Sequence, residues 1–154
     1  MDAKQKAVAL ALACGLAIPA EGLIRHSYLD PANIITVCWG HTGGDVQQGR
    51  EYSIDECKAL LDKDMLRAIE AVDRCVPGLP TKALAAFGDA AFNLGPRVAC
   101  DPKYSTAARL LQAGDIPGAC TALLRFSKAR VAGVMVELRG LKIRRELERD
   151  LCLS

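Results

Sequence analysis

The amino-acid sequence predicts a mainly helical α+β fold with two lobes: a small β-containing N-terminal lobe, one long connecting helix and a helical C-terminal lobe. Ala and Leu make up most of the apolar residues, which are 51% of the chain, and they favour helix over strand. Helix signals are frequent beyond residue 53, whereas residues 23–50 show no helical period. The length of 154 residues allows one domain, or two lobes that share a core.

The first twenty residues form a segment of their own. Lys4 and Lys6 precede an uncharged stretch from residue 7 to residue 20. This pattern is typical of a secretory signal or signal anchor, and equally of a buried first helix. We expect Pro19 to end or kink such a helix just before Glu21. We therefore divide the chain into a possible signal-anchor segment or first helix, 1–20, and one domain, 21–154.

Residues 33–39 have the β-branched and aromatic content of a strand, and glycines at 40, 43 and 44 follow them. Beyond them, Ser53 and Glu56 have the spacing of a capping box, and apolar residues recur every three or four positions up to residue 75. The pattern predicts one long helix from about 54 to 75. Further helices are predicted over 81–93, from Ser105 to 114, from Asp115 onward and over about 141–151, with a loop at about 127–139.

Composition excludes several classes of function. The net charge of +2 argues against a nucleic-acid-binding protein, although residues 125–149 carry a local charge of +5 that favours anionic partners. Seven scattered cysteines and two histidines, with no Cys-x-x-Cys motif, predict no metal site and no cofactor. The cysteines indicate disulfides and an oxidising compartment, with at least one thiol left unpaired.

Candidate catalytic groups lie in the glycine-rich N-terminal part. Glu21 follows the apolar segment, and Asp30 lies nine residues later, before Pro31. A glycosidase needs one protonated carboxyl group in an apolar setting and one ionised carboxylate. The residues around Glu21 suit the first role, and Asp30 suits the second.

The motifs around these carboxylates resemble the active-site signature of the phage-type lysozymes, glycoside hydrolase family 24. Further family motifs follow in order at residues 56–61, 91–95, 112–115 and 140–148, so the resemblance covers about 20–153. It is strongest to endolysins of lambdoid phages that begin with a signal anchor. The signature consists of Glu21-Gly22, Tyr28-x-Asp30 and Thr36-Val37-x-x-Gly40-His41-Thr42.

The resemblance implies hydrolysis of the β-1,4 bond between N-acetylmuramic acid and N-acetylglucosamine in bacterial peptidoglycan, with inversion, by a monomer in the host periplasm. Glu21 would be the general acid, while Asp30 and Thr36 would place the attacking water. Two other functions stay open: a lytic transglycosylase acting on the same bond, and a non-catalytic cell-wall-binding module.

Four further residues are implied as substrate-binding or supporting groups. His41 resembles the family histidine behind the acid, and Asn93 matches a position that faces the cleft. Trp39 would either line the cleft or pack in the core. Arg145, with Arg144, would contact peptide carboxylates of the substrate or pair with acidic side chains of the long helix.

The cysteines and the first segment together suggest a control mechanism. Residues 7–20 would first lie in the inner membrane and then leave it to pack on the domain, bringing Glu21 opposite Asp30. Cys14 could then exchange with a cysteine near the cleft, of which Cys38 is the nearest in sequence. Although sequence leaves the connectivity open, we expect structural disulfides between Cys75 and Cys100 and between Cys120 and Cys152.

Overall fold

A computed structural model describes residues 1–154 and confirms the mainly helical two-lobe fold. The small lobe is an antiparallel sheet of three strands: β1 (Ile24–Leu29), β2 (Ile35–Cys38) and β3 (His41–Thr42), in the order β1-β2-β3. The predicted strand at 33–39 corresponds to β2. The sequence pattern did not reveal β1, because its residues mix polar and apolar types without strict alternation.

Helix α1 (Ala3–Ala20) begins at Asp2, whose side chain accepts the N–H of Gln5, and it packs mainly on α3. The helix includes Pro19 and ends at Ala20, just before Glu21 as expected, because Glu21 has an extended backbone. By length and composition α1 could span a membrane, with a mean hydropathy of 1.2, yet it also buries 22% of its residues inside the protein. The buried residues are Ala9, Ala13, Cys14 and Ala17.

The connecting helix α2 (Ile54–Cys75) has the predicted bounds. Ser53 and Glu56 form the reciprocal hydrogen bonds of a capping box, which satisfy two backbone N–H groups at the helix start. One stripe of the helix is buried, at the three- and four-residue spacing that places side chains on a single face. The stripe consists of Cys57, Leu61, Met65, Ile69 and Val72.

Helix α3 (Thr81–Leu94) lies at the centre of the helical lobe, packed against α1, α2 and α7. All nine residues from Ala83 to Ala91 are buried. Gly88 allows α3 to approach α2 closely, because a Cβ at that position would lie 2.5 Å from Ile69 Cγ1. Helix α3 is thus a tightly packed central helix that can position residues of the site.

The remaining helices surround this central helix. Ser105 and Asp115 cap α5 and α6 through their side chains, as the sequence predicts. The final helix is longer than predicted, and the short α4 was not expected. Their bounds are α4 (Arg97–Cys100), α5 (Thr106–Gln112), α6 (Ile116–Ala122), a single 3-10 turn (Leu123–Arg125) and α7 (Arg139–Leu153).

The predicted loop at 127–139 is wrong: this segment forms a hairpin of β4 (Lys128–Val131) and β5 (Val134–Glu137). The two strands are joined by Ala132 and Gly133, both with positive φ, at 49° and 83°. Tight hairpins need such angles, but Asn-Gly is the usual pair that provides them. An alanine in this position gave no recognisable turn signal.

Three disulfides connect the elements: Cys38–Cys57, Cys75–Cys100 and Cys120–Cys152. The second and third confirm the expected pairs. The first joins the end of β2 to α2 and therefore holds the small lobe on the connecting helix. Cys14 is the one free cysteine, and it is buried.

Candidate active site

Glu21 lies where α1 ends, with its backbone N–H bound to the carbonyl of Ala17. Its Oε1 accepts a 2.7 Å hydrogen bond from Arg144 Nη1, and 27% of the side chain is exposed. On its other side is Gly40, in the turn between β2 and β3, where a Cβ would lie 3.6 Å from Glu21 Oε2. The carboxyl group is thus fixed between the two lobes and remains accessible.

Arg144 is the anchor of Glu21, and Asp89 of α3 holds it in turn. Its Nε and Nη2 donate to the two carboxylate oxygens of Asp89 at 3.0 and 2.7 Å. Asp89 has no exposed surface, and the Arg144 side chain is 4% exposed. Burial alone would lower the pKa of Arg144, but the carboxylates of Asp89 and Glu21 outweigh burial and raise it. Arg144 is therefore a permanent cation between two carboxyl groups.

Arg145 lies deeper still, with no exposed surface. Its Nη2 donates to Glu148 Oε1 at 2.6 Å and to Asn93 Oδ1 at 3.0 Å. Arg145 therefore cannot contact substrate. It does pair with an acidic side chain, but that side chain belongs to its own helix and not to α2. Burial, together with the neighbouring Asp89, raises the pKa of Glu148 well above its usual value.

The buried residues of α7 are thus all charged, namely Arg144, Arg145 and Glu148. The sequence suggests a basic surface over residues 125–149, but these two arginines form an internal cluster. Sequence reasoning also missed Asp89. The sequence feature that could have revealed Asp89 is that it is a lone aspartate within the apolar run Leu84–Phe92. A carboxylate in such a helix needs a buried cation as its partner.

Asp30 lies in the turn between β1 and β2. Its Oδ1 accepts the N–H groups of Ala32 and Ile34 at 2.8 and 2.9 Å, while its backbone N–H donates to the carbonyl of Ile34. Asn33 takes a positive φ of 62° that closes the turn. The second carboxylate oxygen of Asp30 makes no hydrogen bond within the protein and is free to bind a ligand.

Thr36 follows on β2, opposite Tyr28 of β1 and Thr42 of β3. It is 3% exposed, and its hydroxyl donates to the carbonyl of Ile34 at 3.0 Å. Asp30 and Thr36 are therefore held by the same backbone residue, Ile34. The structure brings these two predicted residues together as one unit.

His41 connects the small lobe to α2. Its Nδ1 lies 2.6 Å from Asp64 Oδ2, and its Nε2 lies 2.9 Å from Asp45 Oδ1. Burial would lower the pKa of His41, but the hydrogen bonds to Asp64 and Asp45 outweigh it and raise the pKa. With both ring nitrogens occupied and the residue 4% exposed, His41 holds β3 in place.

Trp39 and Asn93 lie in different surroundings. Trp39 is 8% exposed and belongs to the core cluster, so it packs and does not line the groove. Asn93 lies near the end of α3, half-buried, and faces the groove beside Glu21. Its Oδ1 is bound to Arg145, which leaves its amide N–H groups available.

Two open cavities lie near Glu21, one beside Glu21 itself and one beside Gly40, and together they are called the groove here. The first section, of about 350 Å³, is lined by Ala20, Glu21, Asn93, Leu138, Gly140, Leu141 and Arg144. The second, of about 380 Å³, is lined by Gly40 and Thr42 of the small lobe, by Asp64, Arg67, Ala68 and Ala71 of α2, by Ala91 and Phe92 of α3, and by Pro96. Open sections of this kind suit a large polar substrate, and neither section includes Asp30 or Thr36.

Comparisons with known proteins agree with this geometry. A family model described as phage lysozyme matches residues 19–148. A SAR-endolysin of Bacteriophage PS119 is 37% identical over 134 residues, covering 86% of this chain and 76% of that protein. The crystal structure of the active form of P1 phage endolysin Lyz has a TM-score of 0.76 at 31% identity, covering 92% of this chain and 83% of that one. The secreted inactive form of the same endolysin has a TM-score of 0.52 at 30% identity, covering 72% and 75%.

Proposed function

The chain belongs to the phage lysozyme family, and on that basis we propose that it is an endolysin that hydrolyses the β-1,4 bond between N-acetylmuramic acid and N-acetylglucosamine in bacterial peptidoglycan. It needs no cofactor for this reaction, and it acts as a monomer in the periplasm of the host. The site offers two carboxyl groups on separate elements, as glycoside hydrolysis requires, and one of them, Glu21, lines an open groove.

Glu21 is the general acid that protonates the leaving oxygen. Arg144 fixes its carboxyl group through Oε1, which leaves Oε2 towards the groove. A general acid must be within hydrogen-bond reach of the oxygen that it protonates. The partial exposure of Glu21, which lines the first section of the groove, allows that approach.

Asp30 and Thr36 place the attacking water. Asp30 has one oxygen committed to its own turn and one free, so the free oxygen can accept a hydrogen bond from water. Since the hydroxyl of Thr36 donates to Ile34, its lone pairs stay available as acceptors. Both groups are held rigidly by Ile34.

We infer that cleavage inverts the configuration of the sugar, as the family resemblance implies. Glu21 lies against Gly40, just beyond one end of β2, whereas Asp30 is bonded to Ile34, just before its other end. Their placement at opposite ends of one strand supports separate roles for the two groups, and inversion requires them to lie about 6.5 to 9.5 Å apart so that a water fits between them.

The observation that carries this proposal is the placement of Glu21, held by Arg144 within the groove, and Glu21→Gln tests it. We expect release of muropeptides to fall by roughly 10²- to 10⁴-fold, because the amide cannot supply the proton, while binding to isolated walls is retained. Glu146→Gln is the matched control, since Glu146 lies on α7 and forms no ion pair. Wild-type rates of release in Glu21→Gln would refute the catalytic role.

Mass spectrometry of the released muropeptides separates hydrolysis from transglycosylation. Hydrolysis adds water and leaves a reducing end, whereas a lytic transglycosylase leaves a 1,6-anhydro end. We expect reducing ends from the wild type. Anhydro ends would assign the chain to the transglycosylases, and wall binding without any products would make it a binding module.

Helix α1 supports a membrane stage before activity. It is uncharged from residue 7 to residue 20, and most of its residues are not buried in the protein. We infer that 1–20 first anchors the chain in the inner membrane and then packs on residues 21–154. The greater likeness to the structure described as an active form supports the packed arrangement as the working state.

Fusion of residues 1–20 to a periplasmic reporter tests the anchor. Translocation with retention in the membrane fraction is the expected result, and absence of translocation would reject the membrane stage.

A further inference from the structure

Three carboxyl groups lie within ion-pair distance of the guanidinium of Arg144, and two of them, those of Asp89 and Glu21, accept hydrogen bonds from it. Asp89 takes Nε and Nη2 through two hydrogen bonds, and Glu21 takes Nη1 through one. Asp89 thus holds the guanidinium in a forked, two-point geometry, which fixes the direction of the third donor. Glu21 receives an oriented hydrogen bond from that third donor.

The charge balance matters as much as the orientation. A lone guanidinium beside a carboxylate stabilises its ionised form and would weaken Glu21 as a proton donor. Asp89 places a negative charge on the same guanidinium, in a setting where both side chains are almost fully buried. Because the dielectric response there is weak, this charge strongly offsets that of Arg144.

The other charged groups near Glu21 do not change the sign of this effect. Arg145 and Glu148 of α7 lie behind Arg144 and pair with each other at 2.6 Å. Gly40, which approaches Glu21 from the small lobe, carries no charge. Glu148 Oε1 also lies 3.8 Å from Arg144 Nε. At a fixed protonation state of Glu148, removing the charge of Asp89 leaves Glu21 in a more positive environment.

We propose that Asp89 is a positioning residue for the reaction: it aims Arg144 at Glu21 and offsets the charge of Arg144, so that Glu21 can hold the proton it must deliver. The proposal rests on the general-acid role of Glu21. Asp89 is fully buried in α3 and does not touch the substrate. It nevertheless controls the pH range in which the enzyme works.

Asp89→Asn tests this role through the pH profile of kcat/KM on purified peptidoglycan. The variant keeps the size of the side chain and one acceptor but loses the charge. We expect the alkaline limb, where the general acid loses its proton, to move down by about one pH unit, with activity at lower pH largely retained. A uniform loss at every pH, with the limb in its wild-type position, would mean that Asp89 is only structural and would overturn the proposal.

Carbon-13 NMR of the side-chain carboxyl groups in the wild-type protein provides a test that does not depend on how the variant folds. The proposal requires the signal of Asp89 to remain that of a carboxylate throughout the pH range in which the enzyme is active, with its charge on Arg144. A protonated Asp89 within that range would overturn the proposal. Glu21→Gln distinguishes failure of the proposed function from failure of the role assigned to Asp89. If Glu21→Gln is inactive while the alkaline limb of Asp89→Asn is unshifted, only the role of Asp89 is wrong.

Discussion

Asp30 is held by the backbone of the turn that follows it, whereas Glu21 is held by an arginine 123 residues further along the chain. The first arrangement is local and partly exposed, and it uses neutral N–H donors. The second arrangement joins α1, α3 and α7 through charged groups, of which only Glu21 is partly exposed. The comparison teaches that the two carboxyl groups proposed to act together depend on different parts of the fold, so mutations should affect stability and activity differently on the two sides.

The largest effect on stability is expected from disrupting the buried charged cluster of α7. Glu148→Ala removes the acidic partner of Arg145, which has no exposed surface, and leaves the guanidinium with only Asn93. We expect the free energy of unfolding to fall by about 3 to 5 kcal/mol, because an unpaired buried charge is costly. Urea unfolding measures it, with Glu146→Ala on the same helix as control. Equal, small losses in both variants would show that the cluster contributes little.

Substitution of Asp30, which is held by its own turn, should reduce activity without reducing stability. In Asp30→Asn the amide oxygen can still accept the N–H groups of Ala32 and Ile34, so we expect unfolding to change by less than about 1 kcal/mol. Release of muropeptides should fall on the order of 100-fold, since the water loses its charged partner.

Asp101→Asn is the matched control for this prediction. Asp101 accepts the N–H groups of Lys103 and Tyr104 in a similar turn on the helical lobe. We expect the control to keep full activity. If both variants retain it, Asp30 does not take part in the reaction.

A smaller effect is expected from His41, which joins the lobes. Its pKa is raised in the folded state above the ordinary value of 6.5, so its contribution is complete below about pH 6.5. That contribution is lost as the pH rises through the folded value. Unfolding measured between pH 5 and pH 9 should show this decline in the wild type and in His26→Asn, where the exposed histidine is changed, but not in His41→Asn. A decline that persists in His41→Asn would assign it to another group.

Elements specified by neighbouring residues were predictable from sequence, and those that depend on distant partners were not. The bounds of α2 follow from its capping box and its apolar stripe, both local features. The β4–β5 hairpin was missed because Ala132 adopts a backbone angle that alanine rarely takes.

The same division applies to the site and its cysteines. The candidate residues Glu21, Asp30 and Thr36 form a local sequence motif, whereas the ion pairs of Arg144 span 123 and 55 positions and carry no local signal. The pairing of Cys38 with Cys57 was likewise unexpected, because Cys38 was considered as a partner for Cys14. In the packed structure burial raises the pKa of Cys14 to about 11, so its thiol is protonated and a poor nucleophile there.

The most direct test of how the two sides act together is the configuration of the sugar end formed by cleavage, observed by proton NMR before it mutarotates. If Glu21 donates its proton while water held by Asp30 and Thr36 attacks from the opposite face, the new reducing end of N-acetylmuramic acid appears first as the α-anomer. A β-anomer formed first would indicate a covalent or retaining route and would contradict the single displacement assigned to these residues.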